Sequence, residues 1–248
     1  MAIDLNYRAL LAVIAISKHG SALKASEIIG RSQPALTASL SELEAQIKVK
    51  LFDRNAKGMT LTNFGEILQR RTTNAFAYLS KAEQMFEQKT NPKHGLPLLR
   101  NVKQSQLKML SALVETGSFN AAARTLHKAE PTIHRSLRDL ETICGIPLWQ
   151  RNGARIEIKY EAQELARLGE LCETELEMGL DEIKEQLGQM EGSIKIGSLP
   201  LARSDWLPQA VANIIAQYPY SNISIIDGPY EEQLKALRHG KIDFILGA

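Results

Sequence analysis

Apolar residues in the first twenty positions fall at Leu5, Leu10, Val13, Ile14 and Ile16, the recurrence of a helix with one buried face, and Gly20 ends it. Ser21 is placed to cap a second, shorter helix, "ALKASEIIG", in which Ala22, Ala25, Ile28 and Ile29 share a side and Gly30 closes the run. Ser32 caps a third helix with Pro34 in its first turn, where no N–H is required, and Leu36, Leu40, Leu43 and Ile47 then recur at helical spacing. The opposite side of this third helix carries Gln33, Thr37, Ala38 and Ser41. A surface helix usually displays long charged side chains, so a row of short ones predicts a face that lies close against something flat. After it, "KVKLFDRNAKGMTLT" holds two short apolar stretches around the turn-forming residues Asn55 to Gly58, which predicts a hairpin bearing Arg54 and Lys57.

The pattern returns 97 residues later without a gap. Gly20-Ser21 aligns with Gly117-Ser118, Pro34 with Pro131, Leu43-Glu44 with Leu140-Glu141, Leu51 with Leu148, and Arg54-Asn55 with Arg151-Asn152. A match of this length reads as one small domain copied. Two short helices joined by a tight turn, with basic flanks, fit either a helix-turn-helix, whose second helix enters the DNA major groove while the flanks touch phosphates, or a purely structural three-helix unit.

Each copy leads into a longer helix. Ile67, Leu68, Ala75, Leu79, Ala82 and Phe86 mark an amphipathic helix after the first copy, followed by a linker containing Pro92, Gly95 and Pro97. After the second, residues 162 to 190 place Leu165, Leu168, Leu171, Leu176, Leu180, Ile183, Leu187 and Met190 in a stripe, with Cys172 beside it as a buried thiol. A helix of that length reaches about 43 Å and is expected to bury its stripe against another long helix. The partner is either a second chain or, because each module has its own helix, the other half of the same chain. From residue 192 the segments "SIKIGS", "SDWLPQAVANIIAQYP", "NISIIDG", "EEQLKALRHG" and "KIDFILGA" read as strand, helix, strand, helix, strand, the start of a parallel sheet. Such a sheet with an open edge is expected to need further chain.

Charge separates these parts. The net charge of +2 resolves into +4 over residues 1–90, +6 over 91–160, −8 over 161–192 and zero thereafter, so the basic charge lies in the two repeated modules and fits a polyanion. No apolar run approaches the roughly 20 residues that span a bilayer, and the amino terminus lacks the marks of a cleaved leader. The two cysteines fit a reducing cytoplasm, and the five histidines show no metal-ligand spacing. No nucleophile with a nearby base, carboxylate pair or phosphate loop points to an enzyme, and no cofactor is implied.

Residues 20–65, with Gly20-Ser21, the Ser-Gln-Pro-Ala of 32–35, Leu43-Glu44, Leu51-Phe52 with Arg54, and Leu61-Thr62 followed by Gly65, resemble the winged helix-turn-helix of the LysR-type transcriptional regulators. Residues 117–151 resemble the same module with drift. The resemblance implies a mainly α amino-terminal part, with two tandem winged helix-turn-helix domains and long linker helices. These lead into the start of an α/β periplasmic-binding-protein-like effector domain. The expected boundaries are 1–62 for copy 1, 63–90 for its helix, 91–100 for the linker, 101–161 for copy 2, 162–191 for the dimerisation helix and 192–248 for a first, incomplete part of the effector domain.

The resemblance also implies the contacts. In copy 1 they fall on Gln33, Pro34, Thr37, Ala38 and Ser41, with Arg54 and Lys57 on the wing. In copy 2 they fall on Glu130, Pro131, His134, Arg135 and Arg138, with Arg151 and Arg155 on the wing. Gln33 suits adenine, Arg135 or Arg138 suits guanine, and Thr37 suits a thymine methyl. Ala38 departs from the long residue common in the family. Copy 2 departs further: its capping serine is Ala129, the acid Glu130 replaces Gln33, and the Leu-Thr-x-x-Gly end of the wing is lost. Ser198, Leu199 and Pro200 fall in the first strand-to-helix loop of the effector domain, where a small-molecule effector is expected. The implied partners are double-stranded DNA, an effector and a second copy of the chain through the helix 162–190, with no membrane. An interaction protein whose duplicated modules serve oligomerisation is the alternative.

Overall fold

A computed structural model describes residues 4–55, 58–88, 96–153, 155–189, 192–199 and 206–247. The chain falls into two units, residues 1–176 and 177–248.

In the first unit, copy 1 folds as α1 (Tyr7–His19), α2 (Ala22–Ile29) and α3 (Gln33–Ile47), then a hairpin of β1 (Phe52–Asn55) and β2 (Gly58–Leu61), then α4 (Asn63–Glu87). The punctuation read from sequence sets these ends. Gly20 and Gly30 both close their helices at left-handed φ, 67° and 73°, a conformation that glycine adopts without steric cost. The Ser32 hydroxyl accepts from Ala35 N–H at 3.4 Å, and Thr62 caps α4 by accepting from Gly65 N–H at 3.1 Å. Ser21 sits at the N-cap of α2 as expected, but its hydroxyl makes no capping bond. Leu10, Val13, Ala25, Leu36, Leu40 and Leu43 are buried together with Leu51 and Leu68, so the three helices and the wing enclose one small core.

Copy 2 repeats the order after a short α5 (Leu98–Asn101): α6 (Gln104–Thr116), α7 (Phe119–Thr125), α8 (Glu130–Cys144), a hairpin of β3 (Trp149–Asn152) and β4 (Arg155–Ile158), then α9 (Tyr160–Gln186). The short helix α5 lies where a plain linker is expected, and Leu98 anchors it: the side chain is buried and its N–H donates to Glu83 Oε1 at 2.7 Å.

The long helix differs from its expectation at both ends. It starts two residues earlier and stops at Gln186, because Gly188 turns to a φ of 72° and the N–H of Gln189 bonds back to Lys184 O at 2.9 Å. Leu187 is exposed and Met190 lies outside the described residues. The buried line runs through Leu165, Leu168, Cys172, Leu176 and Ile183, so Cys172 stands on the stripe while Leu171 and Leu180 flank it, half-buried. The apolar side of residues 162–176 is covered inside the chain itself. Gly169 packs against the Leu107 side chain, Cys172 Sγ donates to Tyr7 Oη at 3.7 Å, and Arg71 Nη1 of α4 pairs with Glu175 Oε2 at 3.0 Å.

The second unit holds β5 (Ser193–Ser198), α10 (Trp206–Gln217), β6 (Asn222–Asp227), α11 (Tyr230–Arg238) and β7 (Phe244–Leu246). The strands are parallel in the order β6-β5-β7, so the chain leaves β5 to one side and later crosses to the other. Gly197 leaves room at the centre: a Cβ there would displace the ends of the Ile242 and Gln233 side chains, the latter donating its Nε2 to Ile226 O at 2.8 Å. Among the described residues, no helix is long and apolar enough to cross a membrane.

Candidate nucleic-acid interface

The core leucines of α3 hold its other side outward. Gln33, Pro34, Ala38 and Ser41 are exposed and Thr37 is half-exposed, one turn after another along the helix. The hairpin then folds back beside the helix. Met59 N–H donates to Gly20 O at 2.9 Å, which seats the wing against the turn between α1 and α2. A groove of about 570 Å³ results, and Gln33, Thr37 and Arg54 line it together with Ser21, Lys24 and Met59. Recognition helix and wing residues, separated by about twenty positions in sequence, thus share one concave surface. Arg54 is exposed on β1; Lys57 lies outside the described residues.

Lys24 is the groove residue that sequence reading missed. It occupies the first turn of α2, and its counterpart in copy 2 is Ala121, so nothing in the repeat singles it out. Its ammonium adds a third donor type beside the Gln33 amide and the Arg54 guanidinium, a set suited to base edges and phosphates.

The repeated Leu-Glu pair has a structural task. Glu44 Oε1 accepts from Leu51 N–H at 2.9 Å, and Glu141 Oε1 accepts from Leu148 N–H at 2.7 Å. Each carboxylate ties the end of a recognition helix to the first residue of the wing segment. Thr62 N–H and Lys159 N–H then donate to Leu51 O and Leu148 O, both at 3.0 Å, clamping the far end of each wing. Burial pushes the Glu141 carboxyl above its usual range, against the lowering effect of the bonds from Leu148 and Trp149.

Copy 2 presents a different face. His134 stacks on Phe119 with ring centroids 3.6 Å apart, and Phe119 meets Trp149 edge-on at 5.5 Å. Glu130 lies over the same corner, accepting from Asn120 Nδ2 at 3.3 Å, with Oε1 3.6 Å from His134 Nε2. Glu130, the acid at the position of Gln33, is therefore held against its own module. Pro131, Arg135 and Arg138 remain exposed on α8, and Arg151 is exposed on β3. Arg155 opens β4, opposite Asn152. Ala129 takes the same extended N-cap conformation as Ser32, φ −70° and ψ 138° against −69° and 143°, but offers no oxygen to the helix.

In the second unit, Ser198 ends the central strand β5 and is fully buried, its hydroxyl donating to Leu199 O at 3.4 Å. Leu199 is also buried, and Pro200 lies outside the described residues. The carboxyl end of β5, with neighbours leaving to both sides, is where open α/β sheets bind ligands.

Comparison with known proteins matches this architecture piece by piece. The model of the bacterial regulatory helix-turn-helix protein, lysR family, matches residues 7–66 and again residues 104–159. The LysR substrate binding domain model matches residues 187–248. The chain is 30% identical over 243 residues to the HTH-type transcriptional regulator GalR of Pseudomonas putida, covering 98% of this chain and 60% of that protein. It is 31% identical over 140 residues to the transcriptional activator protein LysR of Escherichia coli, covering 54% of this chain and 44% of that one. Among solved structures, CbnR, a LysR family transcriptional regulator, is similar at 25% identity and a TM-score of 0.40, over 57% of this chain and 47% of CbnR. The chain thus spans about half to three-fifths of the length of these relatives. With two helix-turn-helix matches set 97 residues apart and a substrate-domain match behind them, the chain belongs to the LysR family of bacterial helix-turn-helix regulators.

Proposed function

We propose that this protein is a sequence-specific transcriptional regulator that binds double-stranded DNA through the outer face of α3 and its wing. The observation that carries the reading is the groove in which Gln33, Thr37 and Arg54 converge with Lys24. Gln33 offers adenine a bidentate amide, Thr37 offers a thymine its methyl, and Lys24, Arg54 and Lys57 supply phosphate contacts. On α8, Pro131, Arg135 and Arg138 carry the corresponding contacts, with wing phosphate contacts from Arg151 and Arg155. Glu130 and His134 shape that surface through their contacts with Asn120 and Phe119. Ser198 and Leu199, leading into Pro200, begin the site for a small-molecule effector. The strand order around β5 supports that placement.

The assembly reading is less well supported. The module faces buried against one another leave the outer faces of α3 and α8 open, which oligomerisation alone does not explain. Pairing between chains through the helix 162–190 has to use what remains after the apolar side of residues 162–176 is covered. The test is selection of duplexes from a random-core pool, followed by shift assays from 50 to 200 mM salt. Enrichment of a defined sequence, with affinity falling steeply as salt rises, is the expected result. Uniform weak binding without enrichment would refute the proposal.

A further inference from the structure

We infer that one chain is a complete two-headed DNA reader: its modules pair about an internal pseudo-two-fold axis, and a single chain binds one bipartite, non-palindromic site in a fixed orientation. This rests on the DNA-reading proposal above and goes beyond it in naming the shape of the target.

The pairing has the signature of an isologous interface, in which residue i meets j and the counterpart of j meets the counterpart of i. Counterparts here are offset by 97. Arg71 of α4 pairs with Glu175 of α9, and Glu175 is the counterpart of Tyr78. Asn74, one turn further along α4, donates its Nδ2 to the same Glu175 Oε2 at 3.5 Å. Under a pseudo-two-fold, position 71 meeting the counterpart of position 78 places position 78 against the counterpart of 71, so the two helices cross antiparallel. The amino-terminal ends of α1 and α6 repeat the relation. Residues 5–8 line one side of a shared cleft and their counterparts 102–105 the other, with Leu5 N–H donating to Gln104 Oε1 at 2.7 Å. Leu5, Tyr7, Val102 and Gln104 are all buried there.

In a homodimer such an interface joins identical heads. Here the heads differ: α3 shows Gln33, Thr37 and Ala38, where α8 shows Glu130, His134 and Arg135, with Arg138 at the position of Ser41. An amide and a methyl on one head and two guanidinium groups on the other favour an A·T-reading half and a G-reading half, separated by whole turns of the duplex.

Two experiments on the 248-residue chain test this. In R71C/E175C treated with a short bis-maleimide, the bridge is expected within one chain, leaving the denatured product at single-chain mass, with the unsubstituted chain as control. A covalent dimer, or no bridge in the folded protein, overturns the pairing. In the second, the unsubstituted chain selects duplexes from a random-core pool, and the mass of the complex is measured. The expected site has two unlike halves and binds one chain per duplex. In R135A/R138A one half of that preference disappears and affinity for the full site falls about tenfold or more. A palindromic site, or two chains per duplex, overturns the inference while leaving DNA reading intact. No enrichment at all sinks both proposals.

Discussion

Glu141 Oε1 accepts the backbone N–H of Leu148 at 2.7 Å, and the bond that Glu44 makes to Leu51 repeats it 97 residues earlier. Leu148 is fully buried, so without the carboxylate its N–H has no route to water. E141A is expected to lower unfolding free energy by about 1–3 kcal/mol, with E141Q less harmful because it keeps an acceptor. The pH dependence separates the roles. The folded carboxyl is raised by burial, so the folded state holds its proton more tightly than the unfolded chain. Its contribution is therefore present in full below the ordinary carboxyl range and is lost as pH rises through the folded value. Urea denaturation from pH 4 to 7 should show that component in the native chain and not in E141Q.

The missing cap at Ala129 predicts a gain. Its backbone already has the conformation of Ser32, so A129S needs no rearrangement to present an oxygen to the first turn of α8. We expect a stabilisation of about 0.5–1 kcal/mol, and a loss of similar size for S32A. Thermal melts of the two variants check both directions, and a destabilised A129S would contradict the cap geometry.

Arg54 and Arg151 occupy equivalent wing positions and are both exposed. Removing either should weaken binding to all sequences alike and reduce the slope of log affinity against log salt by roughly 0.9 for each lost phosphate contact. Gln33→Ala should leave that slope unchanged and relax base preference. Shift assays at four salt concentrations distinguish these outcomes.

Cys172 is fully buried on the stripe of α9, and burial pushes its thiol up to about 12. It is expected to stay a thiol and to react with a maleimide only on unfolding, as is Cys144, which burial also raises. Because the unfolded thiol ionises nearer 9, this burial should cost stability as pH rises from about 9 towards 12, measurable by alkaline denaturation.

Much of this was legible in the sequence because the punctuation is local. Gly20, Gly30, Ser32 and Pro34 act within a turn of where they stand, and the leucine spacing of α3 names its buried side directly. The role of the Leu-Glu repeat was not legible, since a carboxylate accepting an N–H seven residues on requires the intervening turn to be known. Glu130 and His134 read as displayed residues because Phe119 and Asn120, which hold them, belong to a different helix. The burial of Cys172 on the stripe rather than beside it follows from the phase of α9, which Tyr7 and Leu107 of distant segments set. Lys24 joined the groove only when the wing folded against the turn at Gly20.

The helix α5, anchored by Glu83 on one side and leading directly into α6 on the other, keeps both modules in one polypeptide. If the heads pair as inferred, their association is intramolecular, and its equilibrium does not depend on how much protein a cell contains. A regulator assembled from separate chains loses its paired form on dilution and occupies its site with a second-order response. A chain that carries its own partner stays assembled at a few copies per cell, and its occupancy scales in direct proportion to its number.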